Sequence, residues 1–355
     1  DYECGIIGAG ALLKYLLETQ KTSLDHLTKL TGYTTGKYMI LDSSTRRNLE
    51  LCETLREKQK RGSLLWILDK TKTAMGARTL RKYIEQPLIE KQAITERLDA
   101  VEEFVGNAIC REEIREYLTP VYDLERLVSK IVYKSANARD LTAFQSSFSM
   151  LPHIKCILQD LKAPLLMKLC EGFDTLEDLC GLIKQAIKEE PPLAMKEGGI
   201  IKEGYHEEVD RLRTAKSDGK MWIAQLEAEE REKTGIKNLK VKFNKVFGYY
   251  LEVTNSFKEM VPDYYTRKQT LANAERYTIP KLKELEDTIL GAEERLYALE
   301  YELYCKVRDA VASEIVRIQD TAKAVANLDV LSSLAFVAER NRFVRPKINE
   351  RGVID

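Results

Sequence analysis

The 355-residue sequence has no surplus of either charge: Lys+Arg and Asp+Glu both total 56. Net charge therefore says nothing about a polyanionic partner, and only local clustering of one sign can point to one. The seven cysteines (Cys4, Cys52, Cys110, Cys156, Cys170, Cys180 and Cys305) form no C-x-x-C pair and no metal-ligand spacing. With an odd count and no signal peptide, they predict reduced, mostly buried thiols in a cytosolic protein rather than a disulfide framework. The three histidines, His26, His153 and His206, are far apart, which argues against a histidine-based metal site or triad. No apolar run reaches the roughly 18 residues of a membrane span. The phosphate-cradling pattern G-x-x-x-x-G-K-[ST] is missing as well. Its nearest substitute, "GIIGAG" (5–10), has the wrong spacing and no preceding strand, and reads as a helix that packs closely on its neighbours.

Chemistry is equally scarce. The acid pairs Glu189-Glu190, Glu207-Glu208 and Glu229-Glu230 are adjacent residues, about 100° apart on a helix, so neither pair member converges with the other on a substrate. No serine or cysteine has a plausible base in the sequence. No catalytic residue, metal ligand or cofactor ligand is expected within this chain.

What is present is helix. Hydrophobic residues make up 44% and charged residues 32%, the usage of a soluble protein with long charged helices. The length allows about two or three domains. Residues 32–51 suggest turns, a short strand near Lys37–Leu41, and a helix capped by Asp42 or Ser43. Periodic helical patterns follow over 64–105, 121–133, 138–151 and 173–190, with Pro87 breaking the first. In "TKTAMGARTLRKYIEQP" (71–87), Thr73 is placed to cap a helix and Gly76 to admit a close neighbour; an anion site beside Arg78, Arg81 and Lys82 is the alternative. Pro191-Pro192 and "EGGIIKEGY" (197–205) mark a candidate boundary.

Beyond that boundary the pattern changes scale. A charged helix over about 203–233 ends at Thr234-Gly235. A second helical pattern starts at Pro280, repeats apolar residues from Leu282 to Leu328, and meets no proline until Pro346. Uninterrupted, it predicts a helix of some 40 to 60 residues, about 60–90 Å long. Two such helices, antiparallel and packed by heptad-like seams, make a lever.

Between them lies "LKVKFNKVFGYYLEV" (239–253), whose period-two alternation predicts a β-hairpin at the tip of that lever, turning at Val246-Phe247-Gly248. From Lys233 to Leu251 there are five lysines (233, 237, 240, 242 and 245) and no acid. Residues 264–276 add Arg267, Lys268 and Arg276 against Glu275 alone. Lysines on a strand face serve solubility and protect an edge; the functional reading is a grip on phosphates that reads no bases. The interleaved tyrosines are expected in the core of the tip rather than as base-stacking platforms.

Four stretches then carry a likeness: "LDKTKTAMGARTLRKYIEQPL" (68–88), "LDAVEEFV" (98–105), "KVKFNKVFGYYLEVT" (240–254) and "RKQTLANAERYTIPKLKELE" (267–286). Collinear over nearly the whole chain, they resemble the core, lever and clamp regions of the bacterial MutS family of DNA mismatch-recognition proteins. The resemblance implies a mainly α fold: a multi-helix core with two long antiparallel lever helices carrying a small α+β clamp with a β-hairpin. It divides the chain into core (1–196), the start of the outgoing lever (197–214), clamp (215–280), and returning lever and core (281–355), with 345–355 resembling the lead-in to an ATPase domain. It implies backbone contacts to double-stranded DNA from Asn244, Lys245, Lys268 and Asn273; charge and strand side add Lys242 and Arg267. Ala272 departs from the pattern, since relatives can carry lysine there. It further implies a homodimer, a MutL-type partner, ATP and Mg in the full-length protein, and a cytoplasmic, nucleoid-associated setting in bacteria. The family's Phe-x-Glu wedge is expected ahead of this segment, and the string Phe257-Lys258-Glu259 lies instead beyond the hairpin; the phosphate loop is missing too, so the chain reads as a middle piece without an enzymatic site. Two rivals stay open: a relative that acts on branched DNA, and a helical scaffold whose basic tip binds an acidic protein.

Overall fold

The computed structural model describes residues 3–20, 32, 35–195 and 198–350. His26, the expected boundary at 196–197 and the last five residues of the 345–355 segment lie outside the described residues. In chain order the helices are α1 (Glu3–Gln20), α2 (Ser43–Asn48), α3 (Leu64–Leu68), α4 (Ala74–Glu85), α5 (Lys91–Gly106), α6 (Ala108–Leu118) and α7 (Leu124–Val132). They continue with α8 (Ala138–Phe148), α9 (Leu151–Leu158), α10 (Pro164–Glu171), α11 (Glu177–Ala186), α12 (Glu207–Thr234), α13 (Pro280–Ser313) and α14 (Ile315–Asn341). Between α12 and α13 lie the strands β1 (Lys240–Asn244), β2 (Gly248–Thr254), β3 (Thr266–Thr270) and β4 (Ala274–Thr278). The fold is thus mainly α with one small antiparallel sheet, as the sequence pattern predicts. The chain forms two compact units, Asp1–Lys184 with Val307–Asp355, and Gln185–Lys306.

The first unit is built around α14, which packs against α3, α4, α5, α6, α7 and α10. The middle of α14 has the length and composition of a membrane span, but most of that stretch is buried inside the unit. Ile318, Val325, Leu328 and Leu331 supply apolar surface, and Ala324, Ala326, Ser332 and Ser333 are small enough to let neighbouring helices approach. A helix apolar on every side is stable only where other elements cover it.

One buried charged residue interrupts that helix. Asp329, fully buried, accepts hydrogen bonds from the backbone N–H of Lys72 (2.9 Å) and Thr73 (2.8 Å) and from the Thr73 hydroxyl (2.8 Å). Thr73 is the N-cap of α4 and accepts from Gly76 N–H at 2.9 Å. A Cβ on Gly76 would overlap the Asp329 carboxylate. The cap and the close approach are therefore both present, and the anion that the α4 N-terminus attracts is a side chain of this chain. Burial pushes the Asp329 carboxyl above the usual range even though these donors pull it down.

Four expectations are corrected. None of the cysteines is buried: Cys4 and Cys156 are exposed and the other five are half-buried. Lys37–Leu41 is not a strand: Thr35–Lys37 is a 3-10 turn, followed by a single bridge from Tyr38 to Leu88. Met39 N–H donates to Pro87 O at 2.8 Å, and Pro87 has no N–H to continue a ladder. α1 is a helix but does not pack closely: Ile6, Ile7, Leu12 and Tyr15 are exposed, and a Cβ on Gly5, Gly8 or Gly10 would meet nothing within 4 Å beyond its own helix. The helical pattern from Pro280 is also interrupted. Glu314 leaves helical geometry (φ −105°, ψ 19°) and bonds Val311 O, three residues back, splitting the run into helices of 34 and 27 residues. Asp42 caps α2, as expected, by accepting from Thr45 N–H at 2.6 Å.

In the second unit α12 and the first part of α13 run antiparallel. Lys281 meets Glu229 at 2.9 Å, Lys216 meets Glu293 at 2.5 Å, and Arg213 meets Glu300. Residue 215, the expected start of the clamp, lies inside α12, which continues unbroken to Thr234. Gly235 then ends it in the left-handed conformation (φ 70°). Glu300 is fully buried and ties three segments together, accepting from the Arg213 guanidinium on α12 and from Gly199 N–H in the loop before it. Arg213 also donates to Ile201 O.

Candidate nucleic-acid interface

The sheet has the order β1-β2-β4-β3, antiparallel throughout. Its core side is built by Leu251, Val253 and Tyr277, which cluster with Leu226 of α12, Ile236, Leu239, Tyr265 and Leu282 of α13. Of the interleaved tyrosines, Tyr265 belongs to this core and Tyr249 packs against it, as expected, whereas Tyr264 is exposed. Tyr250 is buried on the opposite face, where the Arg276 guanidinium stacks on its ring at 4.4 Å. Phe243, which the alternation places on the same side as Val241 and Leu251, contributes least to that side: it touches Tyr249 (ring centroids 4.9 Å apart) but is 48% exposed.

Two buried carboxylates hold the sheet to its surroundings. Glu230, near the end of α12, accepts from the hydroxyls of Tyr264 (2.8 Å) and Tyr265 (3.0 Å) and pairs with Lys233 at 3.3 Å. Burial, then the hydrogen bond to Glu230, pushes the Tyr264 hydroxyl up to about 12. Glu275 on β4 pairs with Lys258 (2.7 Å) and Arg267 (3.7 Å) and accepts from the Tyr277 hydroxyl. The hydrogen bond from Lys258 holds the Glu275 carboxyl below its ordinary value.

The strand order decides where the expected contact residues lie. β1 and β3 run in opposite directions, so the turn after β1 (residues 245–247) and the turn after β3 (residues 271–273) sit at opposite ends of the sheet. The length of β2 separates these ends by about 20 Å. α13 starts where β4 stops, at the same end as the first turn. A Cβ on Gly248 would overlap the carboxylate of Glu286, two turns into α13. The β1–β2 turn therefore points back along α13. The far end is formed instead by residues 271–273, Asn255 and the α12–β1 connection. There Asn255 donates from its backbone to Asn273 O (3.2 Å) and from its side chain to Ala272 O (3.0 Å).

The expected residues divide accordingly. At the near end Asn244 accepts from Val246 N–H at 2.8 Å, which shapes the turn, and Lys245 is exposed beside it. Gly248 (φ 72°) closes the turn, so its three residues are Lys245, Val246 and Phe247 rather than Val246-Phe247-Gly248. Lys268 sits at a β-bulge and donates to Phe247 O at 3.1 Å, which ties it to the same turn. Asn273 is exposed at the far end. Lys242 pairs with Glu252 at 2.7 Å, a hydrogen bond that raises its basicity, and Arg267 faces Glu275. Three lysines of the basic run were not among the expected contacts: Lys233, which pairs with Glu230, Lys237 at the far end and Lys240 at the start of β1. Lys237 and Lys240 are exposed, with no carboxylate partner among the described residues. The acid-free run of five lysines was the available signal for them.

The profile of the family MutS domain III matches residues 44–335. The DNA mismatch repair protein MutS of Lachnoclostridium phytofermentans is 64% identical over all of this chain, which covers 38% of that relative. Those of Acetivibrio thermocellus and Caldanaerobacter subterraneus subsp. tengcongensis are 55% and 56% identical over 100% and 98% of the chain, covering 41% and 40% of their lengths. The chain thus spans about two fifths of the curated relatives it matches. With a domain profile over most of its length and four motifs in collinear order, this chain belongs to the MutS family.

Proposed function

We propose that the second unit grips duplex DNA through its phosphates, without reading sequence, as part of a MutS-type mismatch repair protein. The observation that carries this is the disposition of charge on the sheet. Of the two strand carboxylates, Glu275 is buried and Glu252 is paired with Lys242. Lys237, Lys240 and Lys245 are exposed without carboxylate partners among the described residues. Positive charge on this surface is thus uncancelled in a chain whose formal charge is zero. Asn273, Lys268 and Arg267 extend the proposed contact. Each phosphate contact releases counterions, so affinity falls with salt. In the longer protein, α12 and α13 are the rigid elements proposed to relate clamp position to a nucleotide site supplied with ATP and Mg by an ATPase domain. A homodimer and a MutL-type partner belong to the same proposal.

The test is binding of the 355-residue chain to a fluorescent random-sequence duplex across a salt series. Replacing Lys237, Lys240 and Lys245 by alanine is expected to reduce the slope of log K against log salt by about 0.9 for each phosphate that is no longer neutralised. An unchanged slope and affinity in the triple variant would refute the grip. Comparing mismatched duplex with a four-way junction in the full-length protein separates mismatch repair from a role on branched DNA.

A further inference from the structure

Helices α4, α5, α10 and α14 of the first unit enclose a cleft of about 450 Å³ that the DNA-gripping proposal does not use. Each of three helices contributes one face at helical spacing: Ala93, Glu96 and Arg97 from α5, Leu165, Lys168 and Leu169 from α10, and Asp320, Lys323 and Asn327 from α14. α4 contributes Tyr83. The volume lies within the range of small-molecule sites, about 300–1,000 Å³.

The charges in this cleft do not balance internally. Lys323 is held by Asp320 at 2.9 Å, and Glu96 is engaged by the Gln92 amide at 3.0 Å. The lining thus carries three cations, Arg97, Lys168 and Lys323, against two carboxylates, Glu96 and Asp320, and neither Arg97 nor Lys168 is in an ion pair among the described residues. The Arg97 guanidinium lies flat on the Tyr83 ring, 3.5 Å from its centroid, and the hydroxyls of Tyr83 and Tyr38, not a carboxylate, are what raise its basicity. Burial lowers its basicity by more. Tyr83 is in turn fixed by donating to Asn327 Oδ1 at 2.6 Å. Elsewhere in this unit the buried Arg111 meets carboxylates, Glu112 at 2.8 Å and Glu339 at 2.5 Å. A desolvated guanidinium without a counter-ion is costly, and stacking on one ring offsets only part of that cost.

We infer that this cleft binds a small organic anion. Its phosphate or carboxylate group meets Arg97 and Lys168, and its apolar body rests on Leu165 and Leu169. A planar guanidinium forms paired hydrogen bonds to either head group. The inference stands independently of DNA binding, because all its residues lie outside the second unit.

Isothermal titration of the 355-residue chain with AMP, benzoate and inorganic phosphate tests it. AMP or benzoate is expected to bind one to one, with a dissociation constant of about 1 mM or tighter, and the stronger of the two identifies the head group. Arg97→Gln is expected to weaken that binding at least about tenfold and Lys168→Ala about threefold. Arg126→Gln, an exposed change outside the cleft, should leave it unchanged. If Arg97→Gln fails to fold, Lys168→Ala decides alone, since that side chain is exposed. The inference is overturned if neither organic probe saturates below about 10 mM, or if the folded variants bind as the parent does. It is also overturned if inorganic phosphate binds as tightly as AMP, which would mean an adventitious ion only.

Discussion

Gly248 and Gly76 each press against a carboxylate, Glu286 and Asp329 respectively, leaving no room for a Cβ in either case. The two contacts differ in how firmly the acid is held. Asp329 is buried and fixed by Lys72 and Thr73, whereas Glu286 offers the far end of a flexible side chain.

Gly76→Ala should therefore be severe. Asp329 has nowhere to move without releasing the donors of the α4 N-terminus, and overpacking adds to that loss. A destabilisation of about 2–4 kcal/mol is expected in denaturant melts that follow helicity of the first unit. A loss below about 0.5 kcal/mol would show that α4 and α14 adjust freely.

Gly248→Ala should be milder and have a different origin. The Glu286 carboxylate swings aside, leaving the cost of a left-handed backbone at φ 72°, about 1–2 kcal/mol. Making the change in a Glu286→Ala background is expected to recover little of it. Full recovery in the double variant would mean that the overlap, not the backbone, sets the cost.

Removing the Glu300 side chain is predicted to loosen the base of α12. Glu300→Ala leaves Gly199 N–H without its acceptor and Arg213 with only Ile201 O and Asp210, at about 3 kcal/mol, the lower end for a broken buried pair because Arg213 keeps these partners and some exposure to solvent. Hydrogen exchange over residues 198–216 should accelerate, and protection equal to the parent's would count against the tie.

Acidification should weaken the first unit through Arg317. Its hydrogen bonds hold the carboxyls of Asp174 and Asp178 below their ordinary values. With the folded values depressed, this stabilisation is complete above the unfolded value of about 3.9 and disappears as pH falls through the folded ones. All three side chains are well exposed, so the contribution stays under about 1 kcal/mol. Arg317→Gln should flatten the pH dependence of stability below about pH 4; an unchanged profile would exclude this pair as its source.

Much of this was legible in the sequence because it depends on neighbours along the chain. Thr73 and Asp42 cap helices through donors three residues ahead, and Gly235 ends α12 by closing on Arg231. The alternation over 239–253 fixed which residues face the sheet's core. The four motifs carried the family. The end of the α13 pattern was not legible: neither glycine nor proline stands at Glu314, and periodicity passes through it unbroken.

By itself the sequence determined the helices, their caps, the hairpin and the local excess of lysine, all set by propensity and spacing within a few residues. Only the tertiary structure decided which lysines are free and where they point. Lys242 and Arg267 are drawn to Glu252 and Glu275 by strand pairing, and the order β1-β2-β4-β3 puts Lys245 and Asn273 at opposite ends of the sheet. Strand order and ion pairing join residues distant in sequence, and local pattern carries no record of which partner comes to lie opposite.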